Sequence, residues 1–355
     1  MSLIARLNQF ASRFFGADPP RISHDSLACW RFSLQNVFIV ISGLAHRFPG
    51  VSESMKDPYG REMTNLRISI TQRCNLRCLY CHREGEASMG EEMSPEEISR
   101  LVAIGSSMGM RKLKITGGEP LVREDILDVV QLTAEHADEV SLTTNGVLLS
   151  DLSSGLKDAG LRRVNVSLDT VDPETYRSIS GVDTLDQVIE GIRKAVSVGL
   201  SPVKLNMVVM KGVNDSEIDN MIRFSKDIGA VLQLIELEAP RENINDGYYA
   251  KYHFDLDELE KSFISRAVKV VPRDLHRRMK YFLPEEVEVV RPMHNTVFCA
   301  NCHRLRITSD GRLKPCLLSG CGTVDVLGPM RRGISDSQLM DLFRVAVESR
   351  EPYWR

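Results

Sequence analysis

Six times between residues 65 and 240 the chain repeats one rhythm, a short strand-like run followed by a longer helical pattern. The runs are LRISIT (66–71), KLKIT (112–116), EVSLTT (139–144), RVNVSL (163–168), VKLNMVV (203–209) and VLQLIEL (231–237), all favouring β-branched residues. Helix starts stand between them. In SPEEISRLVAIGSSMG, Ser94 can cap, Pro95 suits the first helical position and Glu97 completes a capping box; Asp172-Pro173-Glu174 and Asn214-Asp215 begin the same way. Strand–helix units in succession imply a parallel sheet, because each crossover returns the chain to the same end. Periodicity alone leaves a doubly wound sheet and a partial barrel both open. Beyond about residue 245 the rhythm breaks: DLDELEKSF reads as a charged helix, KYFLP and VEVVRP as strands, and the region as a separate cap or appendage. No short repeat or low-complexity tract is present, which argues against a solenoid.

Cys74, Cys78 and Cys81, in RCNLRCLYCHREGE, follow the first run directly. They therefore occupy the loop at that strand's C-terminal end, where active sites of parallel α/β folds gather. A second triplet, Cys299, Cys302 and Cys316, lies in CANCHRLRITSDGRLKPCL. Both triplets contain C-x-x-C-H, the pattern of covalent haem attachment. That attachment belongs outside the cytosol and needs an export signal. The apolar run VFIVISGLA (37–45) is far short of the roughly 20 residues of a membrane span and lies behind several charges. Eight cysteines, six of them in triplets with metal-ligand spacing, are too few for a disulfide scaffold and point to a reducing cytosol. With 45 basic and 48 acidic side chains the net charge is −3, so no whole-chain field would gather nucleic acid or an anionic membrane. A polyanion must be held by a local basic cluster. Residues 1–54 carry no motif and Met55 stands just before the patterned chain; an N-terminal extension over 1–55 and a start placed too far upstream both fit.

Three thiolates can hold three corners of a [4Fe–4S] cluster and leave the fourth iron for another ligand. A zinc knuckle completed by His82 lacks the second close ligand pair that structural zinc usually has nearby. C-x3-C-x2-C on the loop after a first strand resembles the radical S-adenosylmethionine (SAM) superfamily. Thr116-Gly117-Gly118-Glu119-Pro120, ending the second strand, matches that superfamily's GGEP element; alone it would read as a turn before a helix. The resemblance implies an α/β fold, a partial (β/α)6 TIM-like radical SAM barrel over 56–245, with a C-terminal cluster-binding and substrate-binding region over 246–355. It implies cofactor contacts at Tyr80, Gly117, Gly118, Glu119, Thr143, Asn145 and Ser167, the glycines allowing close approach to the bound methionine moiety.

With Arg304 and Arg306 after its second cysteine and the Asp310-Gly311 turn, the second triplet resembles the GTP 3′,8-cyclase family of molybdenum cofactor biosynthesis, over about residues 56 to 330. This resemblance implies a second [4Fe–4S] cluster on Cys299, Cys302 and Cys316, with an open iron that binds guanine. A zinc ribbon would want four thiolates rather than three. The implied reaction removes hydrogen from C3′ of GTP with a 5′-deoxyadenosyl radical and joins C3′ to C8, giving (8S)-3′,8-cyclo-7,8-dihydroguanosine 5′-triphosphate. No side-chain acid or base is implied. The triphosphate contacts carried over are Arg67, Lys112, Lys114, Lys204, Arg304 and Arg306; the last two point the same way on a strand. A cytoplasmic enzyme is implied, with an electron donor and a downstream cyclic pyranopterin monophosphate synthase as partners, and a homodimer is compatible with it. The chain departs from the family at Gln233, where many members have arginine, at Lys114, which replaces the commoner arginine, and at the EPYWR end, which lacks a Gly-Gly tail. Similar variants look like the archaeal branch. Cys321, in CLLSGCG, would close the second cluster if it ligated; the family pattern closes at three cysteines. The rivals are a radical SAM enzyme acting on a peptide or haem precursor and, from another class, an electron carrier or dihaem cytochrome.

Overall fold

The computed structural model describes residues 55–86, 91–283, 286–319 and 322–354. All six expected strands form: β1 (Asn65–Ser69), β2 (Lys112–Thr116), β3 (Glu139–Thr144), β4 (Arg163–Ser167), β5 (Val203–Val209) and β6 (Val231–Glu236). Each pairs in parallel with the next, in chain order. This order lacks the reversal that defines a doubly wound sheet, which leaves the partial barrel. The connecting helices are α1 (Pro95–Ser107), α2 (Ile126–Ala134), α3 (Leu149–Asp158), α4 (Pro173–Ser180), α5 (Leu185–Ser197) and α6 (Ile218–Asp227).

The strands alternate in character, and the barrel uses both faces. Leu66 and Ile68, Leu113 and Ile115, Val164 and Val166, and Leu232 and Leu234 are at most 2% exposed and join one core with helix residues such as Leu101, Val129, Leu156 and Ile192. The intervening Arg67, Lys114, Asn165 and Gln233 line a central cavity. A period of two thus gives an apolar exterior under helices and a polar lumen. Each fully buried aliphatic side chain stabilises this arrangement by about 1.5–3 kcal/mol.

The capping box at Ser94 and Glu97 forms in both directions, and Asp172 accepts from the Thr175 amide at 2.8 Å. Asn214-Asp215 differs from expectation. It opens a 3₁₀ turn (Asp215–Glu217) before α6, and the buried Asn214 side chain instead ties a loop by donating to Asp169 O and Val208 O and accepting from Met210 N. A side chain with three tertiary partners is not free to cap.

The chain beyond residue 245 does not stand apart as an appendage; its strands widen the same sheet at both edges. β9 (Glu286–Val290) pairs in parallel with β6 and is followed outward by β8 (Met279–Phe282) and β7 (Lys269–Pro272). β10 (Arg304–Ile307) pairs in parallel with β1 and is followed by β11 (Arg312–Lys314) and β12 (Val324–Asp325). Helices α7 (Gly247–Tyr252), α8 (Asp257–Arg266), α9 (Thr296–Ala300), α10 (Leu327–Arg331) and α11 (Asp336–Glu348) accompany them. α11 buries Leu339, Phe343, Ala346 and Val347 and touches α1. No described helix is long and apolar enough to cross a membrane. The expected N-terminal extension and its apolar run, within residues 1–54, lie outside the described residues.

Candidate active site

Both cysteine triplets line one cavity of about 1600 Å³. They enter it from opposite ends of the strands. Cys74 follows the C-terminal end of β1, whereas Cys302 stands two residues before β10, whose Arg304 lies beside Asn65 at the start of β1. Cys316 follows β11, which runs back antiparallel to β10. The four steps from Asn65 to Ser69 set the two ends about 13 Å apart along the strand.

At the first end, the loop of Cys74, Cys78 and Cys81 is pressed against the TGGEP turn. Gly118 N donates to Thr71 O at 2.7 Å and Glu119 N to Arg73 O at 2.8 Å. A Cβ on Gly117 would lie 2.5 Å from Thr71 O, and one on Gly118 2.5 Å from Arg73 O. The glycines therefore serve close approach between two protein loops, in addition to any approach to a methionine moiety. Glu119 is buried and accepts from the Thr144 hydroxyl (2.7 Å), Leu121 N (3.0 Å) and Asn145 N (2.6 Å). Burial raises its carboxyl to about 7 against those three donors. Asn145 donates onward to Asn75 Oδ1 at 2.7 Å, so β2 and β3 jointly brace the cysteine loop. Tyr80 donates to Asp169 Oδ2 at 2.7 Å, and Asp169 Oδ1 accepts from Val208 N at 2.8 Å. Burial pushes the Cys78 thiol up to about 12, and Asp169, Cys81 and Cys74 add to the rise. Thr143 and Ser167 line the same cavity.

At the second end, a buried ion network holds the backbone of the cysteine segments. Arg350, 2% exposed, donates to Cys302 O (2.9 Å), Pro315 O (2.9 Å), Arg304 O and Asp57 (3.2 Å). Arg61 donates to the same Asp57 carboxylate (2.6 Å) and to Cys299 O (2.9 Å). Burial opposes ionisation of Cys302, but Arg350 and Arg304 outweigh it and draw the thiol below its ordinary value. Tyr353 and Trp354 close this side: Trp354 N approaches Cys299 Sγ at 3.4 Å, and Arg241 lies over the Tyr353 and Trp354 rings at 4.6 and 5.1 Å. Cys321 lies outside the described residues.

Between the two ends stand the expected cations, in unequal circumstances. Arg67 and Arg306, paired side by side in β1 and β10, share Glu84, which Arg306 meets at 3.1 Å. Burial works against the Glu84 charge, yet Arg67 and Arg306 hold its carboxyl down at about 2. Among the described residues Lys114 donates only to neutral Asn165, at 2.8 Å, and burial followed by Arg163, Arg67 and Arg304 lowers its pKa well below the usual range. Arg304 is lowered in the same way, by burial and then Arg306 and Arg67. No carboxylate pairs with Lys114 or Arg304 among the described residues. Lys204 differs: it is paired with fully buried Glu288, which also accepts from Gln233 and from Arg273 at 2.7 Å. Gln233 thus occupies its position as a bridge, accepting from Asn165 at 2.9 Å and donating to Glu288. Lys112 is exposed at the rim. Sequence reasoning missed Glu84, Asn165, Glu288 and Arg350. Glu84 had a signal in its place beside the first triplet; Arg350 had none, because only tertiary placement brings it to the second.

The six described cysteines are free and all belong to the triplets. Among the described residues no three His, Cys, Asp or Glu side chains converge tightly enough for a single metal ion. Each triplet instead opens on the cavity, where three thiols and a roomy fourth side suit a four-iron cluster. A model of the Radical SAM superfamily matches residues 68–225, and one described as Molybdenum Cofactor Synthesis C matches 230–355. The "Probable GTP 3′,8-cyclase" of Pyrococcus abyssi is 53% identical over 303 residues, spanning 84% of this chain and 99% of that protein. The protein of the same name from Archaeoglobus fulgidus is 46% identical over 308 residues, spanning 85% and 99%. In solved structures, Streptococcus suis SuiB bound to the precursor peptide SuiA aligns with a TM-score of 0.57 at 15% identity, over 81% of this chain and 72% of that one. Histidine-tagged anSMEcpe with bound AdoMet aligns at 0.56 and 18% identity, over 79% and 81%. These structures share the radical SAM fold. Since the archaeal relatives are matched along nearly their whole length at about half identity, the chain belongs to the GTP 3′,8-cyclase family of the radical SAM superfamily.

Proposed function

We propose that the chain converts GTP to (8S)-3′,8-cyclo-7,8-dihydroguanosine 5′-triphosphate for molybdenum cofactor biosynthesis. The observation that carries this reading is a single cavity with a cysteine triplet at either end and uncompensated cations between. Cys74, Cys78 and Cys81 would hold a [4Fe–4S] cluster, and that cluster with SAM would supply the one-electron radical chemistry that removes hydrogen from C3′. Around that cofactor, Tyr80, Thr143, Asn145 and Ser167 form the wall, while Gly117, Gly118 and Glu119 fix the loop that carries the thiols. Cys299, Cys302 and Cys316 would hold a second [4Fe–4S] cluster, which would supply a binding site for guanine.

Lys114, Arg304, Arg67 and Arg306 neutralise the triphosphate. Lys112 acts at the rim, and Lys204, already paired with Glu288, chiefly shapes the wall. The chain's part in catalysis is to align C3′ with the radical source and to keep water and stray hydrogen donors away. In this division residues 56–245 supply the radical and, through Arg67 and Lys114, part of the substrate grip, while 246–355 supply the second triplet and the rest of the grip through Arg304 and Arg306. An electron donor and a cyclic pyranopterin monophosphate synthase complete the setting. The test is anaerobic reconstitution with GTP, SAM and a one-electron reductant. Equal amounts of 5′-deoxyadenosine and the 3′,8-cyclic nucleotide are expected; 5′-deoxyadenosine with no cyclic nucleotide would reject the assignment.

A further inference from the structure

Glu84 lies three residues past Cys81 and reaches the two cations that join β1 to β10. Its carboxylate pairs with Arg67 and with Arg306, the latter at 3.1 Å. The cavity thus carries an anion of its own where the substrate's anion is wanted, on the loop that carries the third thiol. Its hold is incomplete: Arg67 Nε is buried without a partner among the described residues, and the Glu84, Arg306 and Arg67 side chains remain 12%, 13% and 20% exposed. They can be reached from the cavity.

The loop is also held against its own preference. Arg83, Glu84 and Gly85 all have left-handed backbone, with φ of +48°, +54° and +66°. For the two residues with a Cβ this conformation is disfavoured, a strain that persists only where surrounding contacts impose it. Those contacts reach into the C-terminal strands: Lys314 donates to Gly85 O, and Glu86 accepts from Ser309 N (3.1 Å) and its hydroxyl (2.6 Å).

We infer that Glu84 is a resident counter-ion that the substrate's triphosphate displaces from Arg67 and Arg306, releasing the 82–86 loop and so coupling occupancy of the substrate site to the first cysteine triplet. This rests on the reading of Arg67 and Arg306 as triphosphate contacts and goes beyond it by joining the two ends of the cavity. A carboxylate and a triphosphate compete for the same guanidinium donors, and the triphosphate brings more charge and more acceptor oxygens. Once it is seated, repulsion keeps Glu84 away. Glu84 is thus a positioning residue that lowers substrate affinity in return for communication.

The experiment uses the reconstituted enzyme with Glu84→Gln and Glu84→Asp, the second keeping the charge but too short to bridge both arginines. Calorimetry should show GTP and inorganic tripolyphosphate each binding about tenfold tighter to both variants. Without GTP, the variants given SAM and reductant should form 5′-deoxyadenosine several-fold faster than wild type. Independently of any variant, amide hydrogen exchange over residues 82–86 of the wild type should rise when GTP or tripolyphosphate binds. Variants that bind GTP no tighter than wild type, or a wild-type loop whose exchange is unchanged or slowed by GTP, would overturn the inference. A failure of the underlying reading looks different: Arg67→Ala and Arg306→Ala would then bind tripolyphosphate as tightly as wild type, whatever the Glu84 variants do.

Discussion

Replacing Arg350 by Met removes one side chain that four groups share. Arg350 donates to three backbone carbonyls, those of Cys302, Arg304 and Pro315, and to the buried carboxylate of Asp57. Asp57 keeps Arg61 at 2.6 Å, so its charge is not left alone. The carbonyls have no such reserve, and each unsatisfied buried acceptor costs about 1–3 kcal/mol. Met restores part of the volume and local relaxation recovers part of the loss, so the net effect falls near the 3–5 kcal/mol of a broken buried pair. For a chain of this size that lowers Tm by about 6–10 °C, at about 2 °C per kcal/mol. The damage is also local: the three carbonyls belong to the segments that carry Cys302 and Cys316. Arg350→Met should therefore lose iron from the second triplet and keep it at the first, read as iron and sulfide per chain together with the separate paramagnetic signals of the clusters. Arg350→Lys, which keeps a cation for Asp57 but cannot fork to three carbonyls, should fall between. An Arg350→Met protein with full iron and a Tm within 2 °C of wild type, about 1 kcal/mol, would refute the argument.

Other outcomes follow from the two ends and from the wall between them. Cys78→Ala should abolish 5′-deoxyadenosine formation, whereas Cys302→Ala should still form it on reduction but yield no cyclic nucleotide; loss of both activities in both variants would deny the separation of roles. Glu288 offers a test by pH. Burial opposes its charge, but Lys204, Arg273 and Arg278 hold the carboxyl at about 2, below its ordinary 4.5. A depressed acid stabilises the fold fully above its unfolded pKa and loses that contribution as pH falls toward the folded value. The loss here is about 3 kcal/mol between pH 4.5 and 2. Glu288→Gln should be less stable than wild type at pH 7 and converge on it as the pH drops from 5 to 3, measured as urea midpoints of the apoprotein; a constant gap would exclude the linkage.

The strands and their parallel order were legible because each run keeps its apolar residues at period two, as in Leu66-x-Ile68 and Leu113-x-Ile115, with helix starts at Ser94 and Asp172 between them. The widening of the sheet was not, because β9 and β10 are ordinary short runs whose neighbours are β6 and β1, some 50 and 240 residues away in the chain. Local pattern carries no such pairing. The cysteines were legible from spacing. Their supports were not: Arg350 lies in an unremarkable ESREPYWR end and becomes significant only when α11 returns it beside Cys302. Lys204 and Arg67 look alike as lone cations on strands. Burial separates them, for Glu288 pairs with one, whereas Glu84 is shared between the other and Arg306.

The widened sheet explains why the cation cluster needs both halves of the chain. Arg67 and Lys114 come from β1 and β2, and Arg304 and Arg306 from β10; the register sets Arg306, Arg67 and Lys114 in one row across three adjacent strands. Like charges in neighbouring strands of a buried sheet repel, and the six-stranded barrel alone has no reason to collect them. Pairing β10 with β1 sets more cations beside the barrel's own, with Glu84 as the carboxylate facing Arg67 and Arg306. The sheet can bear that arrangement because its opposite face is a continuous apolar core under the helices, with Leu66, Ile68, Leu113, Ile115, Leu305 and Ile307 buried behind the charged row. Stability is supplied on one side of each strand and binding strength is stored on the other, and the period of two keeps the functions apart.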